Sequence, residues 1–275
     1  MKERQKKGDR LDVILVNRGL APSRDKARRL ILAGQVIVGE ERVDRPASPT
    51  APDAPIRLKQ PPHPYVSRGG VKLAGALDAF GIDPSDITAA DFGSSTGGFT
   101  DCLLQRGARH VYALDVGKGQ LSFRLRQDPR VTVMEGVNVR YLRGEDLPEA
   151  VDLVTMDLSF ISSLLVLPSA KSVLLKEGSI LTLVKPQFEI GRERVGKGGI
   201  VRDPKDHREV LQTFVRGALE QGFRACGVTP SPIRGAEGNL EFWLHLHQDG
   251  DCLEDAELDQ AVSRAHALPK ETKKD

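Results

Sequence analysis

The sequence predicts an α/β protein: a seven-stranded, mostly parallel sheet with helices on both faces, preceded by a small α+β module. Three observations carry this. From about residue 71 to residue 246, apolar runs of strand length alternate with stretches of helical periodicity. The apolar runs are near-continuous, as in strands covered on both faces. Before them, Pro46, Pro49, Pro52, Pro55, Pro61, Pro62 and Pro64 interrupt the chain. Such a stretch excludes helix and makes a semi-rigid spacer, with the boundary near Gln60.

In the N-terminal module, Leu11, Ile14 and Leu15 lie at helical spacing within 10–18, and Gly19 stops that helix. Ala21-Pro22-Ser23 reads as a turn, and Ser23 as the N-cap of a second helix, Arg24–Leu32. In that helix Ala27, Leu30 and Ile31 face inward, while Arg24, Lys26, Arg28 and Arg29 face mostly outward. Short strands are expected at 35–38, 41–43 and Ile56–Leu58. In the second domain, helices are expected at 71–80, 97–105, 121–126, 161–175 (with Pro168 as a kink) and 207–221. Strands are expected at Thr88–Phe92, 110–116, Val131–Glu135, Val151–Met156, 179–184, 223–230 and 240–246. The last two lack an intervening helix and should pair antiparallel. These elements divide the chain into a module at 9–59, a linker at 60–66, a domain at 67–248 and an acidic tail at 249–275, helix-prone or frayed.

The 275 residues hold 40 Lys and Arg against 38 Asp and Glu, with 39% hydrophobics and a mean hydropathy of −0.31. These values exclude a disordered chain. No apolar run approaches the ~20 residues of a membrane helix, and no apolar segment follows the basic start as in a signal peptide. Cys102, Cys226 and Cys252 show neither paired nor metal-ligand spacing, so no disulfide framework or metal site is expected. A reducing cytoplasm is the simplest home. The charge is unevenly spread. Residues 1–60 hold 14 basic and 8 acidic side chains, net +6; residues 61–247 are neutral; residues 248–275 are net −4. A basic head on a neutral body suits a module that meets a polyanion.

Ligands of doubly wound sheets sit beyond the carboxyl ends of the strands. There the first long strand runs into Asp91-Phe92-Gly93-Ser94-Ser95-Thr96-Gly97-Gly98-Phe99. Its glycines permit a tight turn and close approach to a ligand. The loop is not GxGxxG and lacks a phosphate-binding lysine. Asp115 ends the second strand, where a carboxylate can accept bonds from both ribose hydroxyls; Asp157 ends the fourth. A nucleoside-type ligand follows, and NAD remains compatible with these features alone. Asp91 is expected to order the loop. Asn138 reads either as a ligand contact or as an ordinary turn residue.

Two resemblances sharpen this. RLDVILVNRGLAPSRDKARRLILAGQVIVGEERV resembles the alpha-L RNA-binding module of a small-subunit ribosomal protein, of pseudouridine synthases and of tyrosyl-tRNA synthetases. It implies that a face with Arg10, Ser23, Arg24, Lys26, Arg28 and Arg29 contacts RNA backbone. DFGSSTGGFTDCLL resembles motif I of class I (Rossmann-like) methyltransferases of the FtsJ type. With VSRGGVKL, MDLSFIS, LVKPQFE and GNLEFWL, the chain resembles the TlyA family of ribosomal RNA 2′-O-methyltransferases, also called hemolysin A homologues. The resemblance spans roughly residues 9–247. It implies S-adenosylmethionine as donor, held by Gly93, Ser94, Ser95, Gly97, Gly98, Asp115, Asn138 and Asp157. It implies a catalytic tetrad of Lys72, Asp157, Lys185 and Glu241, with Lys185 nearest the substrate hydroxyl. It implies a cytidine 2′-hydroxyl of ribosomal RNA as target, in the large or in both ribosomal subunits, and a monomer as the acting form.

A lysine serves as base only if its pKa falls through burial or a neighbouring cation, and Lys72 is a candidate for that cation. Arg68, beside Gly69-Gly70, is a further phosphate candidate. The stretch 189–204, with four glycines among several Arg and Lys, reads either as a basic loop that orders on RNA or as an ordinary surface loop. Trp243 is expected in the core. A membrane-active protein and a non-catalytic donor-binding protein are the rival readings; the absence of apolar spans and the intact tetrad oppose them.

Overall fold

The computed structural model describes residues 8–21, 23–59, 63–235 and 237–269. The basic start before Gly8, the turn residue Pro22, the boundary at Gln60 and the end of the acidic tail lie outside the described residues. The chain divides into two compact units, Met1–Pro64 and Tyr65–Asp275.

In the first unit, β1 (Asp9–Arg10) leads into α1 (Leu11–Asn17) and α2 (Arg24–Leu32). Ser23 caps α2: its hydroxyl accepts the Lys26 amide at 3.3 Å. Then follow β2 (Val36–Val38), β3 (Glu41–Arg42), β4 (Pro49–Thr50) and β5 (Ile56–Leu58). β2 pairs antiparallel with β3 and β5, and β1 pairs with β4. Leu11, Leu15, Ala27, Ile31 and Val36 close a small core. The expected spacer is therefore only partly one. Pro49 donates no N–H, yet it serves in a two-residue edge strand, where none is needed.

In the second unit the elements are α3 (Gly69–Phe80), β6 (Thr88–Phe92), α4 (Gly98–Gln105), β7 (His110–Asp115), α5 (Phe123–Arg126), β8 (Val131–Glu135), β9 (Val151–Met156), α6 (Leu167–Val173), β10 (Leu174–Val184), α7 (Pro186–Glu189), α8 (Pro204–Glu220), β11 (Arg224–Pro230), β12 (Phe242–His247) and α9 (Asp255–Ala267). One seven-stranded sheet runs β11-β12-β10-β9-β6-β7-β8. All pairings are parallel except those of β12, which inserts antiparallel between β10 and β11. The antiparallel last pair is as expected; its insertion beside β10 had no local signal.

Alternate strand residues face two cores. Ala89, Val111, Ala113, Leu153, Leu181 and Trp243 meet α3, α4 and α5, through Leu73, Phe99, Leu103 and Leu125 among others. Ala90, Tyr112, Leu114, Val154, Ile180 and Phe242 face the opposite layer, built from α6, α8 and α9. This period of two along strands buried on both sides produces the near-continuous apolar runs.

Two expectations need correction. The helix expected at 161–175 is a 3₁₀ turn, Ser163–Leu165, followed by the shorter α6. Pro168 sits in the first turn of α6, where its missing N–H costs nothing, so it starts a helix rather than kinking one. Leu174 then turns extended and opens β10, whose register against β9 shifts between Leu174 and Ser179. The acidic segment is no frayed tail over its described length. α9 buries Leu258, Ala261, Val262 and Ala265 in the main core, and Arg208 of α8 reaches Asp259 at 2.5 Å. No helix among the described residues is long and apolar enough to cross a membrane.

Candidate active site

The site grows from the ends of parallel strands. After β6 the chain reverses at Gly93, whose φ of +85° lies in the left-handed region. A Cβ there would also stand 2.7 Å from the Asp157 carbonyl oxygen. At Gly97, with φ +94°, a Cβ would strike the Leu121 and Leu125 side chains. Both positions therefore require glycine. The Gly93 and Ser94 amides donate to the Leu114 carbonyl at 2.9 and 3.0 Å. Ser95 itself holds φ +46°, and its amide donates to Asp115 Oδ2 at 2.8 Å. Asp115 Oδ1 accepts the Gly117 amide at 2.7 Å. The carboxylate expected under a ribose thus also braces the loop above it.

Beneath the loop, Asp91 is fully buried. Its Oδ2 accepts the Thr100 amide and hydroxyl at 3.0 and 2.7 Å, and its Oδ1 accepts the Thr155 hydroxyl at 3.3 Å. Burial pushes its carboxyl up to about 7, against the pull of Thr100 and with the charge of Asp157 adding to the rise.

Two cavities flank the glycine loop. One, of ≈400 Å³, is lined by Asp115, Gln120, Val137, Asn138 and Ile161. The other, of ≈340 Å³, is lined by Ser67, Arg68, Lys72, Ser94, Gly98 and Arg234. Gly93, Ser95 and Asp157 belong to both. Asn138 additionally caps the turn Val139–Tyr141, its Oδ1 accepting the Arg140 amide at 3.1 Å. Gly97 is buried behind the loop and lines neither cavity.

The four expected catalytic residues form two ion pairs. Lys72 Nζ of α3 lies 2.6 Å from Glu241 Oε2, just before β12. Lys185 Nζ, at the end of β10, lies 2.6 Å from Asp157 Oδ1, after β9, and donates to the Ser159 hydroxyl at 3.1 Å. Side-chain exposure is 12% for Lys72, 3% for Glu241 and 10% for Lys185. Lys72 and Asp157 line one cavity, so both pairs reach the same hollow beside the glycine loop. Such charges are kept inside only as pairs.

An aromatic pair stands next to Asp157. Phe160 is 91% exposed with φ +65°, a strained state for a bulky residue, and its ring centre lies 5.2 Å from that of Phe188. These rings line a third cavity with Gln187 and Val195. The sequence reading gave these two phenylalanines no role, although the MDLSF and KPQF segments carry them.

In the first unit, Arg10, Ser23, Arg24, Lys26, Arg28 and Arg29 are all exposed. Asp12, fully buried, holds two of them: it binds Arg10 bidentately at 2.9 and 2.9 Å and Arg24 at 3.3 Å. That anchoring residue was also missed, because one acidic side chain at a helix start is an ordinary feature. In the second unit, the exposed Arg68 donates to the Arg234 carbonyl at 3.0 Å. The stretch 189–204 is tied down: Arg194 pairs with Asp206 and Glu209, and the Val201 amide donates to Asn239. Trp243 is buried, as expected.

A family model described as FtsJ-like methyltransferase matches residues 65–248, and an S4 domain model matches residues 9–53. The chain is 48% identical to YqxC of Bacillus subtilis, whose name assigns it provisionally as an rRNA methyltransferase; the match covers 98% of each chain. It is 44% identical over 93% of its length, and 96% of the relative's, to the 16S/23S rRNA (cytidine-2′-O)-methyltransferase TlyA of Mycobacterium tuberculosis. A solved structure from Streptococcus thermophilus, provisionally named a hemolysin, is 40% identical with a TM-score of 0.74; the match covers 95% of this chain and 97% of that one.

Proposed function

Since the chain belongs to the FtsJ-like methyltransferase family, we propose that it methylates the 2′-hydroxyl of a cytidine in ribosomal RNA, with S-adenosylmethionine as donor. The observation that carries this is the convergence of the Lys72–Glu241 and Lys185–Asp157 pairs on the hollow beside the glycine loop. The setting is the cytoplasm and the partner a ribosomal subunit; the M. tuberculosis relative's name points to the RNA of both subunits.

The residues present fit the donor. Asp115 and Asn138 offer oxygens at one cavity for the hydroxyls and base of a nucleoside, and the loop turns at Gly93 with no side chain in the way. Ser94 and Asp157 face the other cavity, where the amino-acid end belongs. The donor supplies a methyl group already activated on a positive sulfur. The protein's work is alignment and one proton. Lys185, fixed by Asp157 and Ser159, orients the 2′-oxygen; its ammonium passes one proton to Asp157, 2.6 Å away, and the amine so formed takes the proton of the 2′-hydroxyl as the oxygen attacks the methyl carbon. Lys72 adds a second positive charge, held by Glu241. The Phe160 and Phe188 rings give an unstacked base a surface to lie on. The first unit's exposed arginines meet phosphates by charge rather than by base readout.

The test is methyl transfer from labelled S-adenosylmethionine to unmodified 30S, 50S and free ribosomal RNA, with Lys185→Ala alongside. The expected result is transfer to at least one substrate that vanishes in the variant while donor binding persists. No transfer to any of them, with donor bound, refutes the reading. The hemolysin name of some relatives suggests a membrane-active protein; liposome leakage separates the two.

A further inference from the structure

Glu135, at the end of β8, points into a concavity of three backbone amides. Its Oε2 accepts the Gly119 amide at 2.7 Å, and its Oε1 accepts those of Gln120 and Leu121 at 3.0 and 3.2 Å. Successive amides arranged in this way form an anion nest, here filled by the protein's own carboxylate. Arg126 closes the arrangement, pairing with Glu135 and donating from Nε to the Leu121 carbonyl at 3.1 Å. Arg126 and the Gly119 amide hold the Glu135 carboxyl down at about 2, so it is ionised at any working pH.

Glu135 lines neither cavity flanking the glycine loop. The loop it anchors, residues 117–122, does reach that site. The Ser95 hydroxyl donates to Gln120 Oε1 at 3.3 Å, and the Ser122 amide donates to the Thr96 carbonyl at 3.2 Å. Leu121 packs directly behind Gly97. The far end is pinned by the Gly136 amide on the Gly117 carbonyl at 3.2 Å. The glycine loop therefore rests on a second loop, which Leu121 anchors in the core and Glu135 holds by the amides of residues 119–121.

We propose that Glu135 is a positioning residue for the donor: seated in the 119–121 nest, it sets the 117–122 loop and, through Gln120, Leu121 and Ser122, the glycine loop 93–97. This rests on the donor reading given above. Loss of the charge leaves three amides facing a weaker acceptor. The loop then samples positions in which the donor site is incomplete, and apparent affinity falls by that fraction.

The test is calorimetric titration of the full chain with S-adenosylmethionine, together with steady-state kinetics. Glu135→Gln should weaken donor binding by about tenfold, the loss expected for one charge-assisted contact. Its kcat at saturating donor should stay within about twofold, and Glu135→Asp should recover part of the affinity. Arg126→Gln, which touches neither cavity, should weaken binding in the same direction. Donor affinity within about twofold of the parent in a folded Glu135→Gln protein overturns the proposal, as does a fall in kcat with unchanged KM. If Glu135→Gln does not fold, unchanged affinity in Arg126→Gln overturns it instead. A parent protein that binds no S-adenosylmethionine refutes the donor reading rather than this one.

Discussion

Removing one partner of the Lys72–Glu241 pair should cost far more than removing both. The two atoms are 2.6 Å apart, and the side chains are only 12% and 3% exposed, so solvent does little to replace a lost partner. Glu241→Gln strands an ammonium, and Lys72→Met strands a carboxylate. Each single change should destabilise the second unit by about 3 kcal/mol, the lower end for a buried pair broken on one side. For a unit of this size that lowers Tm by roughly 6–12 °C. The double variant removes both charges together and should regain at least ~2 kcal/mol of the summed loss. Its methyl transfer should stay as low as in the singles, because stability and chemistry ask different things of these side chains. Urea unfolding of the four proteins, followed by fluorescence of Trp243, measures the cycle. Singles within about 0.5 kcal/mol of the parent, or a double no better than the sum, would refute the reasoning.

Four shorter expectations accompany it. Lys185→Met should lower transfer by at least ~100-fold while donor affinity stays within about twofold; a comparable loss of donor binding contradicts the assigned role. Asp91 titrates near 7 in the fold and about 3.9 unfolded, so its contribution is complete below pH ~4 and is lost as pH rises through about 7. Asp91→Asn should remove up to about 4 kcal/mol of that decline, read from urea midpoints at acid and neutral pH. Phe160→Ala should raise KM for RNA by about tenfold, the size of one stacking contact, without altering donor binding. Arg28→Gln should lower the salt dependence of RNA binding by rather less than one in log–log slope, if that guanidinium meets one phosphate.

The strands and the glycine loop were legible because their causes are local. Burial on both faces writes itself into 88–92 and 151–156 as runs with almost no exposed position, and the turn at Gly93 needs a residue without a side chain. The family's motif order gave Lys72, Asp157, Lys185 and Glu241, although sequence spacing alone cannot bring residues 72 and 241 together; the inserted β12 does that. Glu135 and Asp12 were missed because the partners of the first are backbone amides and those of the second are exposed arginines, which leave no periodic trace. The segment of α9 was left open between a helix and a frayed tail because it buries Ala261 and Ala265 alongside two larger side chains, so its apolar stripe is faint. Pro168 was misassigned because a proline that breaks a helix and one that begins it look alike in one dimension.

The insertion of β12 has a consequence for how the protein comes into being. The first unit is built from neighbours in sequence and can close early, while the rest of the chain is still being made. The second cannot. Its sheet stays open between β10 and β11 until residues 242–247 arrive, Glu241 comes with them, and α9 must follow to cover that face. On the proposed function, a half-made chain therefore holds RNA before it can modify it, and the order of the chain makes recognition the first property of the nascent protein and catalysis the last.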